Sequence, residues 1–136
     1  MNVFQVSILE ADAPFYEGPC LSLQIPTTDG QRGILAHHRN MIAALVPGTL
    51  RLRTPDGAEQ VAAVSEGIIK VEDNHVLILA DTIERPEEID SNRARRDADE
   101  AREAMLQQKS RQEYQLAQAA LARAMNRLRV KAREIR

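Results

Sequence analysis

Asp90 lies inside the stretch EEIDSNRA (87–94), at the head of a run that contains no Gly or Pro to residue 136. A carboxylate placed there has an immediate use. It can accept the backbone N–H of Asn92 or Arg93 and cap a helix, a contribution of ~0.5–2 kcal/mol. Further along, Arg123, Arg127, Arg129, Lys131, Arg133 and Arg136 are opposed only by Glu134. Such a cationic run suits an acidic surface. Nucleic acid is a poor fit, because the run carries a regular apolar seam and no interleaved aromatics. His37, His38 and His75 do not make a metal set: adjacent strand side chains diverge, and no Cys or carboxylate spacing completes the coordination. No nucleophile, base and oxyanion donors fall into a recognisable set, and there is no Walker-type phosphate loop. The chemistry on offer is binding rather than catalysis.

These residues need elements to hold them, and the chain supplies two kinds. Phe4, Val6 and Ile8 alternate with Gln5 and Ser7, the period of a half-buried strand. Leu21, Leu23 and Ile25 repeat it, and Pro26 is expected to stop that strand. Leu50 and Leu52 alternate with Arg51 and Arg53. TPDG (54–57) then offers a turn, with Pro presetting one φ and Gly taking the positive one. Val61–Val64 returns as the partner strand. Ile68–Val71 and Val76–Leu79 form a further pair around Asp73-Asn74. Many short strands with frequent turns predict a β-sandwich or barrel, closed by two sheets that each bury one face.

After Asp90 the pattern changes to helical. Ala94, Ala98, Ala101 and Met105 recur at helical spacing, as do Tyr114, Ala117, Leu121, Ala124, Leu128 and Ile135. QQKSRQ (107–112) separates the two series. Ser110 followed by Glu113 is a capping-box pattern that starts a second helix. The two helices are expected to pack as an antiparallel hairpin over a seam of alanines. Each buried methyl contributes on the order of 0.8 kcal/mol, so that seam is weak for its length. The expected division is 1–85 for the sandwich and 86–136 for the hairpin. Charge divides the same way: residues 1–89 carry 6 basic and 13 acidic side chains, residues 90–136 carry 12 and 7. An acidic body with a basic end points to two different partners.

Aromatics are only 3% of the chain, so the core must be aliphatic. The single Cys20 excludes an internal disulfide. No apolar run approaches the ~20 residues of a membrane helix, and MNVFQVSILEAD lacks the features of a signal peptide. The expectation is a soluble intracellular protein.

Four stretches, in order, resemble one family. RGILAHHRNMIAALVPGTLRL (32–52) is similar to its Gly-Ile-Leu-Pro-Gly-His segment with a later Pro-Gly. AAVSEGIIKVEDNHVLILAD (62–81) is similar to its Ala-Val-Ser-Gly-Gly-Phe strand pair and following Val-Thr-Ile-Leu-Ala-Asp. IDSNRA (89–94) matches the form Ile/Leu-Asp-x-x-Arg-Ala, and RAMNRL (123–128) matches a segment near the end of some bacterial members. The chain thus resembles the epsilon subunits of bacterial F-type ATP synthases over nearly its whole length. It departs from them at Ala36-His37, where the family carries Pro-Gly. It also departs at Glu66 for the first Gly of Ser-Gly-Gly, at Pro86 for a frequent Ala, and at Glu100 where some ATP-binding members carry Arg.

The resemblance implies a non-catalytic subunit at the foot of the central stalk. Its sandwich would bind the gamma subunit and the c-ring, with His38 at the rotor interface. Its hairpin would extend along gamma and inhibit ATP hydrolysis, with Arg123, Arg127, Arg129, Lys131 and Arg133 meeting the alpha and beta subunits of the catalytic head. No cofactor is required. ATP enters as a regulatory ligand, with Glu84, Ile89, Asp90, Arg93, Ala94, Arg123 and Arg127 as its implied contacts. Asp90 would accept from the adenine amino group and the arginines would meet phosphate. No nucleic acid partner is implied. Membrane association would come only through the complex, at the cytoplasmic face of the bacterial cell membrane. The competing reading is a free-standing β-sandwich module whose basic hairpin recruits an acidic protein; co-purification with gamma separates the two.

Overall fold

The computed structural model describes residues 2–11, 13–107 and 110–134, excepting the side chains of 133 and 134. The chain divides into two compact units, Met1–Glu84 and Arg85–Arg136. Ile135 and Arg136, counted above in the helical seam and the basic run, lie outside the described residues, as do Gln108 and Lys109 of the inter-helix segment and the Arg133 side chain.

Among the described residues the first unit holds ten strands: β1 Phe4–Glu10, β2 Ala13–Cys20, β3 Ser22–Thr27, β4 Gly30–Leu35, β5 Met41–Leu45, β6 Gly48–Arg53, β7 Glu59–Val64, β8 Gly67–Glu72, β9 His75–Ala80 and β10 Ile83–Glu84. One ladder runs β10-β7-β6-β3, with β4 on the far edge of β3; the other runs β5-β8-β9-β1-β2. A single pairing, Thr27 with Leu45, joins them. All pairs are antiparallel except β1 with β9. Alternate residues of both ladders face one buried aliphatic core: Phe4, Val6 and Ile8 from β1, Leu23 and Ile25 from β3, Leu50 and Leu52 from β6, Ile69 from β8, Val76 and Ile78 from β9. This is the expected sandwich.

Pro26 does not stop β3, which continues to Thr27. Its position explains the tolerance. On that edge β6 pairs only as far as Gln24, and β5 begins only at Thr27. The Pro26 carbonyl still accepts the Val46 N–H at 3.2 Å. The missing N–H therefore falls in the gap between two partner strands, where no ladder bond is lost. The 73–74 hairpin takes positive φ at both Asp73 (51°) and Asn74 (63°), the backbone that matches strand twist. Gly57 carries the positive φ of the TPDG turn, at 88°. At the Ser65-Glu66-Gly67 turn only the second position needs glycine: a Cβ on Gly67 would sit 2.8 Å from the Ala80 Cα. That is why Glu66 is accommodated.

The second unit opens with a 3-10 turn over Pro86–Glu88, followed by helix α1 (Ser91–Gln107) and helix α2 (Arg111–Glu134). Asp90 caps α1: its Oδ1 accepts the N–H groups of Asn92 (3.0 Å) and Arg93 (3.1 Å), and its carbonyl accepts that of Ala94. Ser110 caps α2, its Oγ accepting the Glu113 N–H at 3.1 Å. The buried residues of α1 are Ala94, Ala98 and Ala101. From α2, Ala117, Ala124, Asn126 and Val130 are buried. Lys131 Nζ donates to the Pro86 carbonyl at 3.0 Å, tying the end of α2 to the turn that precedes α1.

Candidate functional site

Each unit carries one surface that could bind a partner. In the second, α1 and α2 leave a groove of about 580 Å³ along one side. Its floor is small and apolar, with Ala101 and Ala104 from α1 and Ala117 and Ala120 from α2. Helical spacing puts Asp97 and Glu100 on the same face of α1 as these alanines. It likewise puts Glu113, Arg123 and Arg127 along one side of α2. Arg123 and Arg127, anticipated as phosphate contacts, are thus brought to one groove, half-buried. They share it with three carboxylates that the sequence reading did not place there. Formal charge in the groove is two positive against three negative, a weak field for a polyanion.

The other expected nucleotide contacts stand as follows. Asp90 is exposed and its Oδ1 is engaged as the α1 cap. Ile89 is buried, and its N–H donates to the Pro86 carbonyl. Arg93 is exposed and Ala94 is buried, on the first turn of α1. Glu84 closes β10 opposite Ala63, in the first unit. Of the residues expected to meet the catalytic head, Arg129 is exposed on α2, while Lys131 is held by the Pro86 carbonyl.

In the first unit, His38 is half-buried in the loop between β4 and β5, and its Nδ1 lies 2.8 Å from the Arg39 carbonyl. A carbonyl can only accept, so Nδ1 carries the proton and Nε2 is left as an acceptor in the neutral ring. His37 takes φ +64°. That is the left-handed region that favours the glycine carried there by the resembling family, and the histidine accepts the same conformation.

A second feature was not anticipated. On the outer face of the β5-β8-β9-β1 ladder, Ala44 lies opposite Ile68, Ile68 opposite Leu79, and Leu79 opposite Leu9. Ile68 is 52% exposed and Leu79 44%; Ile42, two residues along β5 on the same face, is 73% exposed. Paired strand residues share a face, so these side chains form one apolar row. The signal was present in Ile68-Ile69 and Leu77-Ile78-Leu79, which lack polar alternation and so cover both faces of their strands. Cys20 is buried and offers no site: burial pushes its thiol up, and its S–H donates to the Ser22 and Arg53 carbonyls. Among the described residues, no helix is long and apolar enough to cross a membrane.

Comparison with known proteins bears on both units. The family described as ATP synthase, Delta/Epsilon chain, beta-sandwich domain matches residues 3–86. The one described as ATP synthase, Delta/Epsilon chain, long alpha-helix domain matches residues 87–132. The chain is 40% identical to the ATP synthase epsilon chain of Ruminococcus albus over 131 residues, covering 96% of this chain and 97% of that one. It is 36% identical to the ATP synthase epsilon chain of Shouchella clausii over 130 residues, 96% of each. Among solved structures, a chain of the Euglena gracilis mitochondrial ATP synthase, described as OSCP/F1/c-ring in rotational state 1, superposes with a TM-score of 0.82. That match has 22% identity and covers 100% of this chain and 83% of that one, a likeness of fold.

Proposed function

The chain belongs to the ATP synthase delta/epsilon family, non-catalytic components of that complex, and from that premise we propose that it acts as the epsilon subunit of the central stalk. The sandwich is the constant attachment and the hairpin is the conditional part. The apolar row Leu9–Leu79–Ile68–Ala44 supports a docking face for gamma: contiguous exposed aliphatics of this kind mark a covered surface. The loop bearing His38 meets the c-ring. The protein then sits peripherally at the cytoplasmic face of the bacterial membrane, held there by the complex.

The observation that carries the conditional role is the composition of the hairpin seam. Ala94, Ala98, Ala101, Ala117 and Ala124 are buried where a durable hairpin would bury Leu or Ile. Such a pair of helices separates at low cost and suits a two-state element. On opening, Lys131 leaves the Pro86 carbonyl and joins Arg123, Arg127 and Arg129 in facing the acidic surface of alpha and beta, which blocks hydrolysis. ATP binds at the α1 start with its phosphates toward Arg123 and Arg127, and favours the folded hairpin. Ligand at a hundredfold above Kd adds ~2.7 kcal/mol to the state it binds, a bias rather than a lock.

Deletion of residues 90–136 is the test. The truncated chain should assemble with gamma and the c-ring as before, and the complex should hydrolyse ATP faster. Unchanged hydrolysis under inhibiting conditions removes the regulatory role. Failure to assemble removes the division of labour between the two units.

A further inference from the structure

The loop that carries His38 is held by a pair of asparagines. It leaves β4 at Leu35, turns through Ala36 and His37, and enters β5 at Met41. His37 adopts a backbone conformation that L side chains rarely take, so something must hold it there. Its N–H donates to Asn74 Oδ1 at 2.6 Å. On the opposite side, the Asp73 N–H donates to Asn40 Oδ1 at 3.0 Å. Loop and turn therefore exchange bonds: each gives a backbone N–H to an amide oxygen of the other. Asn74 is also tied to β1 and the residue before it, its Nδ2 donating to the Val3 carbonyl at 3.0 Å and its own backbone carbonyl accepting the Gln5 N–H at 3.2 Å.

From this geometry we propose that Asn74 is a positioning residue for His38. It fixes His37 in its left-handed conformation, which sets the course of the next two residues, so that the Arg39 carbonyl meets His38 Nδ1. The ring is thereby held in the Nδ1–H tautomer and presents Nε2 as an acceptor. The contacting group on the partner is a hydrogen-bond donor. The identity of that partner rests on the rotor reading above; the positioning itself does not.

The test uses the full chain with Asn74→Gly, which keeps access to positive φ and removes the amide, and with Asn74→Asp, which keeps the oxygen that accepts the His37 N–H. Asn74→Gly should speed amide exchange at His37 by at least tenfold. It should also shift the His38 ring, read by ¹⁵N NMR, from one tautomer to a mixture; a merely structural role would leave that signature unmoved. Asn74→Asp should restore slow exchange. Unchanged exchange and an unchanged tautomer in Asn74→Gly overturn the proposal. If Asn74→Gly does not fold, Asn74→Ser takes its place with the same two readouts: unchanged His37 exchange and an unchanged His38 tautomer in that variant overturn the proposal. The partner is read separately, from binding of the chain with gamma to detergent-solubilised c-ring. Asn74→Gly should weaken it about tenfold, with no further loss when His38→Ala is added. Additive losses mean that Asn74 acts elsewhere and overturn the positioning role at that interface. If His38→Ala alone binds as the wild type does, the rotor reading of His38 falls while exchange and tautomer still decide the positioning.

Discussion

The two units bury different things. The sandwich closes over Phe4, Ile8, Leu23, Ile25, Leu50, Leu52, Ile69 and Ile78, each almost inaccessible. The two helices of the hairpin close over alanines, with Val130 the largest buried aliphatic of α1 and α2 among the described residues and Ile89 buried just ahead of α1. Fully burying a Leu or Ile contributes ~1.5–3 kcal/mol, against ~0.8 kcal/mol for a single methyl. Both units are fully formed in the folded state, so the difference is not visible in shape. It lies in how much each would resist opening. The proposed pairing of a fixed anchor with a releasable arm requires just this concentration of core volume at one end of the chain.

That contrast breaks first at the sandwich core. Leu50→Ala should cost ~2–5 kcal/mol of stability, measured by urea unfolding, because it leaves a cavity between the ladders. Ala98→Gly in α1 should cost only ~1 kcal/mol and appear as local helix opening rather than global unfolding. Equal effects on the global transition would mean that the units do not differ in kind.

The next test concerns the groove rather than the seam. Glu100→Arg replaces one of three carboxylates with a guanidinium beside Arg123 and Arg127. ATP affinity, by calorimetric titration, should rise at least tenfold, equivalent to ~1.4 kcal/mol. No rise would place the phosphates outside this groove.

Smaller again is the cap. Asp90→Ala should destabilise α1 by ~1 kcal/mol, seen as faster proteolysis within the hairpin and an unchanged sandwich transition. Arg127→Ala leaves the cap intact; if ATP protects that variant from proteolysis as well as it protects the wild type, nucleotide does not bridge the two helices.

The smallest effect belongs to the sandwich surface. The Asp56 carboxyl is held below its ordinary range by hydrogen bonds from the Thr54 hydroxyl and, to a lesser degree, the Ala58 N–H. A carboxylate with a depressed folded pKa stabilises above its unfolded pKa and ceases to do so as pH falls through the folded one. Asp56→Asn should therefore lower the melting temperature slightly at neutral pH and leave it unchanged in acid below the carboxylate range. A difference that persists in acid would assign the effect to the turn backbone instead.

What could be read from the sequence follows the locality of each interaction. β1 and β6 were legible because their alternation is complete within six or seven residues, and β7 because the TPDG turn implied a returning partner strand. The Asp90 and Ser110 caps were legible because cap and partner lie two or three residues apart. β2 was not: its sequence APFYEGPC holds two prolines and a glycine, tolerable because it lies at a sheet edge and pairs only with β1. β4 is also an edge strand and carries Gly30 and Gly33. Pro26 misled because its acceptability depends on where β5 and β6 end. The carboxylates of the groove were visible as residues but not as neighbours of Arg123 and Arg127, since that requires the register between two helices.

The one parallel pairing bears on how the chain is made. Gln5 lies opposite His75, and Glu10 opposite Ala80. Because translation proceeds from the N-terminus, β1 leaves the ribosome long before its parallel partner exists. Until β9 arrives it can pair only with β2, in a hairpin that is marginal by itself. Contacts so distant in sequence make closure slow. In that interval Phe4, Val6 and Ile8 stay exposed along an open strand edge, the condition that invites mispairing with another chain. Nascent chains halted just before residue 75 should therefore be aggregation-prone, and those extended past residue 80 by enough to clear the exit tunnel should not.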